Sequence, residues 1–198
     1  MTMQAQMGMA TEEEIEKTMH FIEITTQDMS KTINDFMNFT KPTDEKVRIL
    51  FQEIVDDILR MMGAQLKNHN IDFIEEIEDN LMISTFNKEL EHILINLFSN
   101  ARDALDTKEI ENKEIRLCAF AKGKDCVIEV RDNAGGIAKD VISRVFDPYF
   151  TTKEQGKGTG LGLYMSKKIL TETIGGHIDV CNTQDGAKFT ITLKGAVC

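Results

Sequence analysis

The hydrophobic positions near the start of the chain follow a heptad pattern. Between residues 11 and 38 they alternate in steps of four and three, with one threonine among them: Ile15, Met19, Ile22, Thr26, Met29, Ile33 and Phe36. This spacing predicts one coiled-coil-like helix that ends before Pro42. A single seam needs a partner helix, so we favour self-association through residues 11–38 over packing on the chain's own core.

After Pro42 the pattern changes to alternating helices and strands. Apolar residues at helical spacing predict a helix from Val47 to Gly63 or Lys67, and a partly alternating run predicts a strand over Ile71–Ile77. A strong helical pattern then covers Asn87–Leu105. The remaining predicted elements are strands at 114–120 and 126–131, a short helix near 139–145, a glycine-rich loop at 156–162 leading into a helix up to about residue 173, and strands at 177–181 and 188–193.

Turn signals between the strands determine the predicted fold class. Lys122-Gly123-Lys124-Asp125 and Asp185-Gly186 each favour a β-hairpin. The chain is therefore predicted to be α+β, a two-layer α/β sandwich with a mixed, mostly antiparallel sheet, helices on one face and a coiled-coil-like helix before it. The predicted domain boundaries are 1–42 for the helical region and 43–198 for the sandwich.

Composition narrows the function classes. The 198 residues carry a formal net charge of −10, and 41% of them are hydrophobic. An acidic chain lacks the basic face that nonspecific nucleic-acid binding needs, so no nucleic-acid partner is expected. The sequence contains neither a signal peptide nor an apolar run near the ~20 residues that span a bilayer. We therefore expect a cytoplasmic location and no membrane contact by this chain, with anchoring of a parent protein left open.

Four cysteines could indicate a metal or redox site: Cys118, Cys126, Cys181 and Cys198. No two of them form a C-x-x-C pair, and no histidine lies at ligand spacing from them. Reduced thiols, some buried as small apolar groups, are the favoured interpretation over zinc.

Polar residues also form a stripe on the helix at 87–105: His92, Asn96, Asn100 and Asp103. Short amides are poor helix formers, and exposed helix faces are usually built from Glu, Lys and Gln. The stripe is either an ordinary solvated face or a ligand-binding face. An asparagine carbonyl oxygen is a suitable hard ligand for Mg²⁺.

Three further stretches have the residue types of a nucleotide site. Asp132–Ile137 places a carboxylate and two glycines after a strand, although a simple turn would have the same composition. Phe146–Lys153 joins aromatic residues and a proline to two hydroxyls and a lysine. Gly156–Leu163 alternates glycines before a helix N-terminus, where free N–H groups favour an anion. It matches neither the P-loop nor the dinucleotide fingerprint.

In this order, the Asn96-x-x-x-Asn100-Ala101 motif and these three stretches resemble the N, G1, F and G2 boxes of sensor histidine kinases. That family lies within a superfamily that includes DNA gyrase, the mismatch-repair ATPases and a heat-shock chaperone. Gly175–Ile178 and Asp185–Phe189 are similar to the closing hairpin of the kinases. The resemblance covers about residues 47 to 193, and four ordered boxes are far more specific than any one of them.

The resemblance implies a site for ATP and Mg²⁺. Asn100 would be the ligand of Mg²⁺ and Asn96 would support the phosphates or the water shell of the metal, which makes these two the catalytic candidates. Asp132 would read the adenine amino group. The other implied nucleotide-binding positions are Asp103, Gly136 for close backbone approach, Ile137, the lid residues Lys153, Lys157 and Gly158, then Thr159, Gly160, Leu161 and Gly162 at the helix start, and Thr190 or its neighbours as the floor of the adenine pocket.

The resemblance also separates a kinase from a hydrolase. The superfamily's ATPases carry a glutamate four residues before the metal-binding asparagine as the general base. Here that position is Asn96, which cannot take a proton, so we expect ATP binding, slow hydrolysis and phosphoryl transfer to a nucleophile supplied elsewhere. A hydrolytic module of the same superfamily and a non-enzymatic interaction module are the alternatives.

The expected phosphoacceptor histidine has no match in this chain. His20 lies on the predicted coiled-coil helix but lacks the family's flanking residues, and the other candidates are His69, His92 and His177. Residues 16–42 instead resemble the second dimerisation helix of such kinases, so region 1–42 is interpreted as a partial dimerisation region. We favour a truncated or internally deleted kinase over a naturally split one. A response regulator is the implied partner.

Overall fold

The computed structural model describes residues 18–19, 45–153 and 158–198. The chain divides into two units, of which the larger comprises Pro42–Phe150 and Gly160–Cys198. Thr18, Met19, residues 151–153, Gly158 and Thr159 belong to the other unit. Thr18 and Met19 are helical, and the rest of the predicted seam at 11–38 lies outside the described residues. Self-association and the boundary at residue 42 therefore stay predictions.

In the larger unit, helices and strands alternate along the chain. In order they are β1 (Val47–Leu50), α1 (Phe51–Asn68), β2 (Ile71–Ile77), β3 (Met82–Thr85), α2 (Asn87–Asp106), β4 (Lys113–Lys122), β5 (Asp125–Asp132), α3 (Lys139–Ile142), α4 (Gly162–Ile169) with a π-helical turn at Leu170–Ile174, β6 (Gly176–Asn182) and β7 (Ala187–Leu193).

The main sheet has the strand order β2-β4-β5-β7-β6. β2 pairs parallel with β4, and every other pairing in this sheet is antiparallel, which confirms the predicted mixed, mostly antiparallel architecture. Lys122 pairs with Asp125, so Gly123 and Lys124 form a two-residue hairpin turn. Gly123 has a φ of 68°, the left-handed conformation that such a turn requires. β1 and β3 form a separate antiparallel pair.

One face of the sheet carries the core and the other carries charge. Ile115, Leu117 and Ala119 alternate along β4 on the buried face and share one hydrophobic core with α1 and α2. Ring packing across this layer includes Phe73 and Phe98, whose centroids lie 5.3 Å apart edge to face. The other face bears ion pairs, such as Lys188 with Glu129 at 2.8 Å. This polarity follows from the period of two along a strand and confirms helices on one face.

The predicted boundaries of two elements were wrong. Val47–Leu50 is a strand paired with Met82–Thr85, not the first turn of α1, and β3 itself was not predicted. Four residues fit a helical or a strand period equally well, so only the pairing partner decides between them. The short helix ends at Ile142 rather than at residue 145. The last helix, predicted to about residue 173, does extend to Ile174, with a π-helical turn from Leu170, and stops at Gly175, whose φ is 87°.

No helix within the described ranges combines the length and the apolar character needed to cross a bilayer.

Candidate functional site

The two asparagines of the polar stripe are linked to the helix that follows the glycine-rich loop. Asn96 and Asn100 are half-buried on α2, which contacts α4. Asn96 Nδ2 donates a hydrogen bond to Ser166 Oγ at 2.9 Å, and Asn100 Nδ2 donates to Asn96 Oδ1 at 3.5 Å. A Cβ on Gly162 would lie 2.5 Å from Asn96 Oδ1, so the close approach of α4 to this amide requires glycine.

Asp132 is a buried carboxylate at the end of β5, with 6% of its surface exposed. Its Oδ1 accepts hydrogen bonds from the backbone N–H of Ala134 at 2.9 Å and of Ala187 at 3.3 Å. Burial raises the pKa of Asp132, while these two N–H donors and the charges of Lys108 and Arg131 oppose the rise. Both hydrogen bonds end on Oδ1, which leaves Oδ2 to accept from the amine of a ligand.

The loop after Asp132 is fixed by a side-chain amide from the edge strand. Asn182 Oδ1 accepts from the N–H of Ile137 at 2.8 Å, and Asn182 Nδ2 donates to the Ile137 carbonyl at 2.7 Å. Gly136 has a φ of 80°, and a Cβ there would lie 2.8 Å from Asn182 Oδ1. The amide therefore binds Ile137 as a neighbouring strand would, and Gly136 keeps the loop close to it.

A second contact holds the same loop from the segment that follows α2. Lys108 Nζ donates a hydrogen bond to the carbonyl oxygen of Ala134. This contact places a positive charge near the Asp132 carboxylate. The loop is thus tied on one side to the segment that follows α2 and on the other side to β6.

The start of α4 has the features of an anion site. Leu161 precedes the first helical residue, Gly162, and its apolar side chain does not cap the N–H groups of the first turn. Gly160 has a φ of 66°, and a Cβ there would clash with the backbone of Tyr149 and Phe150. Only glycine permits this approach, which fixes the direction in which the chain enters the helix.

Not every predicted site residue belongs to this group. Lys153, Gly158 and Thr159 are in the other unit, where the N–H of Lys153 donates to Thr151 Oγ1 at 3.1 Å. Lys157 lies outside the described residues. Asp103 is on α2, where its Oδ1 accepts from the Arg102 guanidinium at 2.7 Å.

Thr190 requires a correction. It pairs with Glu129 and Asp179 in the sheet, which places it on the charged face. Phe189 pairs with Val130 and so shares the buried face with Asp132. The prediction that Thr190 itself floors an adenine pocket at Asp132 was wrong, because adjacent strand residues point to opposite faces. Its neighbour Phe189 is on the correct face.

The donor set around Asn100 fits Mg²⁺ held together with phosphate. The amide nitrogen of Asn100 is used on Asn96, so its carbonyl oxygen is the atom left for a hard cation. No group of three or more acidic, histidine or cysteine side chains suited to a metal occurs in the described part of the chain. Mg²⁺ binds commonly through one or two protein oxygens plus substrate phosphates, and that arrangement suits these residues.

The cysteines are free thiols in different environments. Cys181 and Cys198 are exposed, and Cys126 is buried. Burial raises the pKa of Cys126 to about 12. Burial, with the Glu76 carboxylate 3.5 Å from its sulfur, raises the pKa of Cys118 to about 11. Neither of these two thiols is activated as a nucleophile.

Sequence reasoning missed four residues that shape the site: Lys108, Ser166, Asn182 and Gly186. Gly186 packs so closely on the Asp132 backbone that a Cβ there would overlap the Asp132 carbonyl oxygen. Its Asp-Gly pair was interpreted only as a hairpin signal. A serine in the interior of a helix was a usable signal for Ser166, whereas nothing in the sequence around Asn182 or Lys108 indicated their contacts.

Comparison with known proteins gives a consistent result. A family described as "Histidine kinase-, DNA gyrase B-, and HSP90-like ATPase" matches residues 86–196. The two-component sensor PprA of Pseudomonas aeruginosa is 36% identical over 143 residues, which is 68% of this chain and 15% of that sensor. The chain spans between 15% and 32% of the length of eight curated sensor proteins that it matches.

Solved structures with a similar fold include the catalytic domain of histidine kinase ThkA. It aligns with a TM-score of 0.68 and 26% identity, over 77% of this chain and 97% of that one. Full-length ShkA, solved in complex with AMPPNP, has a TM-score of 0.72 over 96% of this chain and 40% of its own. Its identity of 19% supports the fold alone.

Proposed function

Because the chain belongs to the histidine kinase-, DNA gyrase B- and HSP90-like ATPase family and is a sensor histidine kinase catalytic domain, we propose that it binds Mg-ATP and transfers the γ-phosphoryl group to a histidine that is not identifiable in this chain. The phosphoryl group then passes to a response regulator. The observation that carries this proposal is the Asn96 amide. It stands where a hydrolase needs a base and is hydrogen-bonded to Ser166.

Different residues bind the adenine and the phosphates of the nucleotide. Asp132 Oδ2 accepts from the exocyclic amine of adenine, and Gly136 lets the backbone approach the ring. Asn100 supplies a carbonyl oxygen to Mg²⁺, which when bound neutralises phosphate charge. The N–H groups of the first helical turn after Leu161 receive phosphate oxygens. These groups hold the phosphate locally, so the net charge of −10 does not oppose binding.

The chemistry depends on positioning more than on acid–base catalysis. Phosphoryl transfer passes through a loose transition state in which the protein mainly aligns the groups and stabilises charge. An amide at position 96 neither accepts nor releases a proton at neutral pH, so water is not activated. The acceptor histidine supplies its own nucleophilic nitrogen. ATP is therefore retained until that histidine arrives.

Lys153, Lys157, Gly158 and Thr159 complete the proposal as residues of an ATP lid, on the sequence resemblance alone. Region 1–42 is proposed as a partial dimerisation region that self-associates through residues 11–38. The acceptor-bearing first helix is proposed to be missing from this chain, and the protein is proposed to act in the cytoplasm.

The test combines binding with turnover. Mg-ATP at 100 times its dissociation constant should stabilise the fold by about 2.7 kcal/mol in a thermal melt. Hydrolysis should stay far below ~1 s⁻¹, the low end of typical enzymes. Faster turnover would favour the hydrolytic alternative, and no thermal shift would favour an interaction module. Acid-labile label on this chain after incubation with γ-labelled ATP would contradict the missing acceptor.

A further inference from the structure

We propose that Ser166 is a positioning residue that orients the metal-binding amide through Asn96. The inference rests on the proposed function, because it concerns how Asn100 is presented to Mg²⁺. Ser166 is 3% exposed and lies in α4, one turn after Gly162. It is not part of the sequence motifs that resemble the kinase boxes.

The hydrogen bonds run in one direction. The Asn100 amide nitrogen donates to Asn96 Oδ1 at 3.5 Å, and the Asn96 amide nitrogen donates to Ser166 Oγ at 2.9 Å. A carboxamide rotated by 180° about its last bond exchanges its donor and its acceptor. In the structure Ser166 Oγ accepts from the Asn96 nitrogen, and this hydrogen bond holds the Asn96 rotamer that directs Oδ1 at Asn100. That oxygen in turn holds the nitrogen of Asn100 and leaves its carbonyl oxygen for the cation.

The surrounding packing makes the serine hydroxyl the deciding contact. The longer of the two hydrogen bonds is weak at 3.5 Å, so Asn96 cannot be fixed by Asn100 alone. Gly162 packs within contact distance of Asn96 Oδ1 and restricts the space but offers no side chain to bind it. The shorter contact, to Ser166, is also the more buried one. Serine is disfavoured inside a helix, and a role in orienting Asn96 accounts for its presence there.

This arrangement connects two parts of the site. Asn96 and Asn100 belong to α2, whereas Ser166 belongs to the helix whose first turn is proposed to receive phosphate. A displacement of α4 would move the Ser166 hydroxyl relative to α2 and so change the orientation of the Asn100 carbonyl. Metal binding and the position of α4 are thus coupled through one hydroxyl.

The experiment measures Mg²⁺ affinity separately from nucleotide affinity. AMPPNP binding to the full chain is measured by calorimetry without metal, and Mg²⁺ is then titrated at saturating AMPPNP. Ser166→Ala should leave the metal-free AMPPNP dissociation constant within about twofold of wild type, because adenine is read at Asp132. It should raise the apparent Mg²⁺ dissociation constant about tenfold, as loss of an outer-shell partner does.

Two variants separate the hydroxyl from packing. Ser166→Thr keeps the hydroxyl and should retain wild-type Mg²⁺ affinity. Ser99→Ala removes a hydroxyl from α2 without touching the Asn96 amide and should also behave as wild type. An unchanged Mg²⁺ constant in Ser166→Ala, or a loss of Mg²⁺ affinity in Ser166→Thr equal to that of Ser166→Ala, would overturn the inference.

The outcome also distinguishes this inference from the proposed function. Absence of AMPPNP binding by the wild-type chain would refute the proposed function and the inference with it. Normal wild-type binding with an unaltered Ser166→Ala variant would refute only the inference. If Ser166→Ala does not fold, Ser166→Cys substitutes a weaker acceptor of similar size and should raise the Mg²⁺ constant in the same direction; no rise would overturn the inference.

Discussion

Replacing Asp132 by asparagine should separate nucleotide recognition from stability. The carboxylate accepts two backbone hydrogen bonds through Oδ1, and an asparagine Oδ1 can accept both. The amide nitrogen that replaces Oδ2 is a donor, so it would face the donor amine of adenine. We therefore expect Asp132→Asn to keep the fold and to lose the proposed adenine contact.

The loss can be given a magnitude. A hydrogen bond to a charged group contributes about 1.5–3 kcal/mol, which corresponds to a rise of about 10- to 150-fold in the dissociation constant of ATP. At 100 times the wild-type dissociation constant, ATP stabilises the wild-type protein by about 2.7 kcal/mol. A 30-fold weaker variant would gain only about 0.9 kcal/mol at the same concentration. For a chain of this size the thermal shift falls from roughly 5–11 °C to roughly 2–4 °C.

Without nucleotide, Asp132→Asn should not lower the free energy of unfolding. Burial raises the pKa of Asp132 in the folded state above its unfolded value. As pH rises, the unfolded state loses this proton first, so stability falls between the unfolded and the folded pKa. Above the folded pKa the cost of the buried charge is fully present, and asparagine does not have it. Asp132→Asn without ATP should therefore be at least as stable as wild type at pH 7, with no advantage below about pH 4.

Thermal melts at these two pH values, with and without Mg-ATP at pH 7, provide the measurement. Asp185→Asn is the matched control, because Asp185 is exposed and its carboxylate pairs with Arg131 at 2.9 Å. It should keep the full ATP shift. A full ATP shift in Asp132→Asn would refute the adenine assignment. A variant that is clearly less stable without ATP would refute the reasoning about the buried charge.

Three further predictions concern the fold. Gly63→Ala in the interior of α1 should raise the free energy of unfolding by about 1 kcal/mol, because a Cβ there meets no atom within 4 Å. Gly186→Ala should lower it by at least about 2 kcal/mol, because the new Cβ would overlap the Asp132 backbone; urea unfolding of both variants measures the two changes. Thr85→Val should raise the free energy of unfolding by about 1 kcal/mol, because the Thr85 hydroxyl is fully buried and finds no hydrogen-bond partner within the described ranges; a lower value contradicts this. In thiol labelling at pH 8, Cys181 and Cys198 should react fast, and Cys118 and Cys126 should react slowly. Fast labelling of Cys126 in the folded protein would contradict its burial and its pKa of about 12.

The motifs with the residue types of a nucleotide site could be recognised in the sequence, because each depends on the type of residue at a given position. Asparagines on one helix face, an aspartate before two glycines, and glycines before a helix are each required by what the backbone or the ligand can do. The strand over Ile71–Ile77 and the hairpin at 122–125 were also predicted correctly, since alternation and turn residues are local signals.

The remaining features depend on contacts between distant residues. β1 is a strand because Met82–Thr85 pairs with it, and nothing within Val47–Leu50 indicates that partner. The sequence left open whether Thr190 or a neighbour would lie beside Asp132, because a shift of one residue in a strand reverses the face to which a side chain points. The contacts from Asn182 to Ile137 and from Ser166 to Asn96 join residues 45 and 70 positions apart. Tertiary packing alone brings these residues together.

The most direct test of the central claim is to map where Mg-ATP binds. Amide chemical shifts of the chain should be recorded while Mg-ATP is added, with ADP without metal as a comparison. We expect Mg-ATP to perturb the signals of Asn96 and Asn100, of Asp132–Ile137 and of Gly160–Gly162, while Arg116 and Cys118 on the charged face of the sheet do not respond. Perturbations confined to the charged face, or none at millimolar Mg-ATP, would contradict an ATP site between the asparagine helix and the glycine-rich segment.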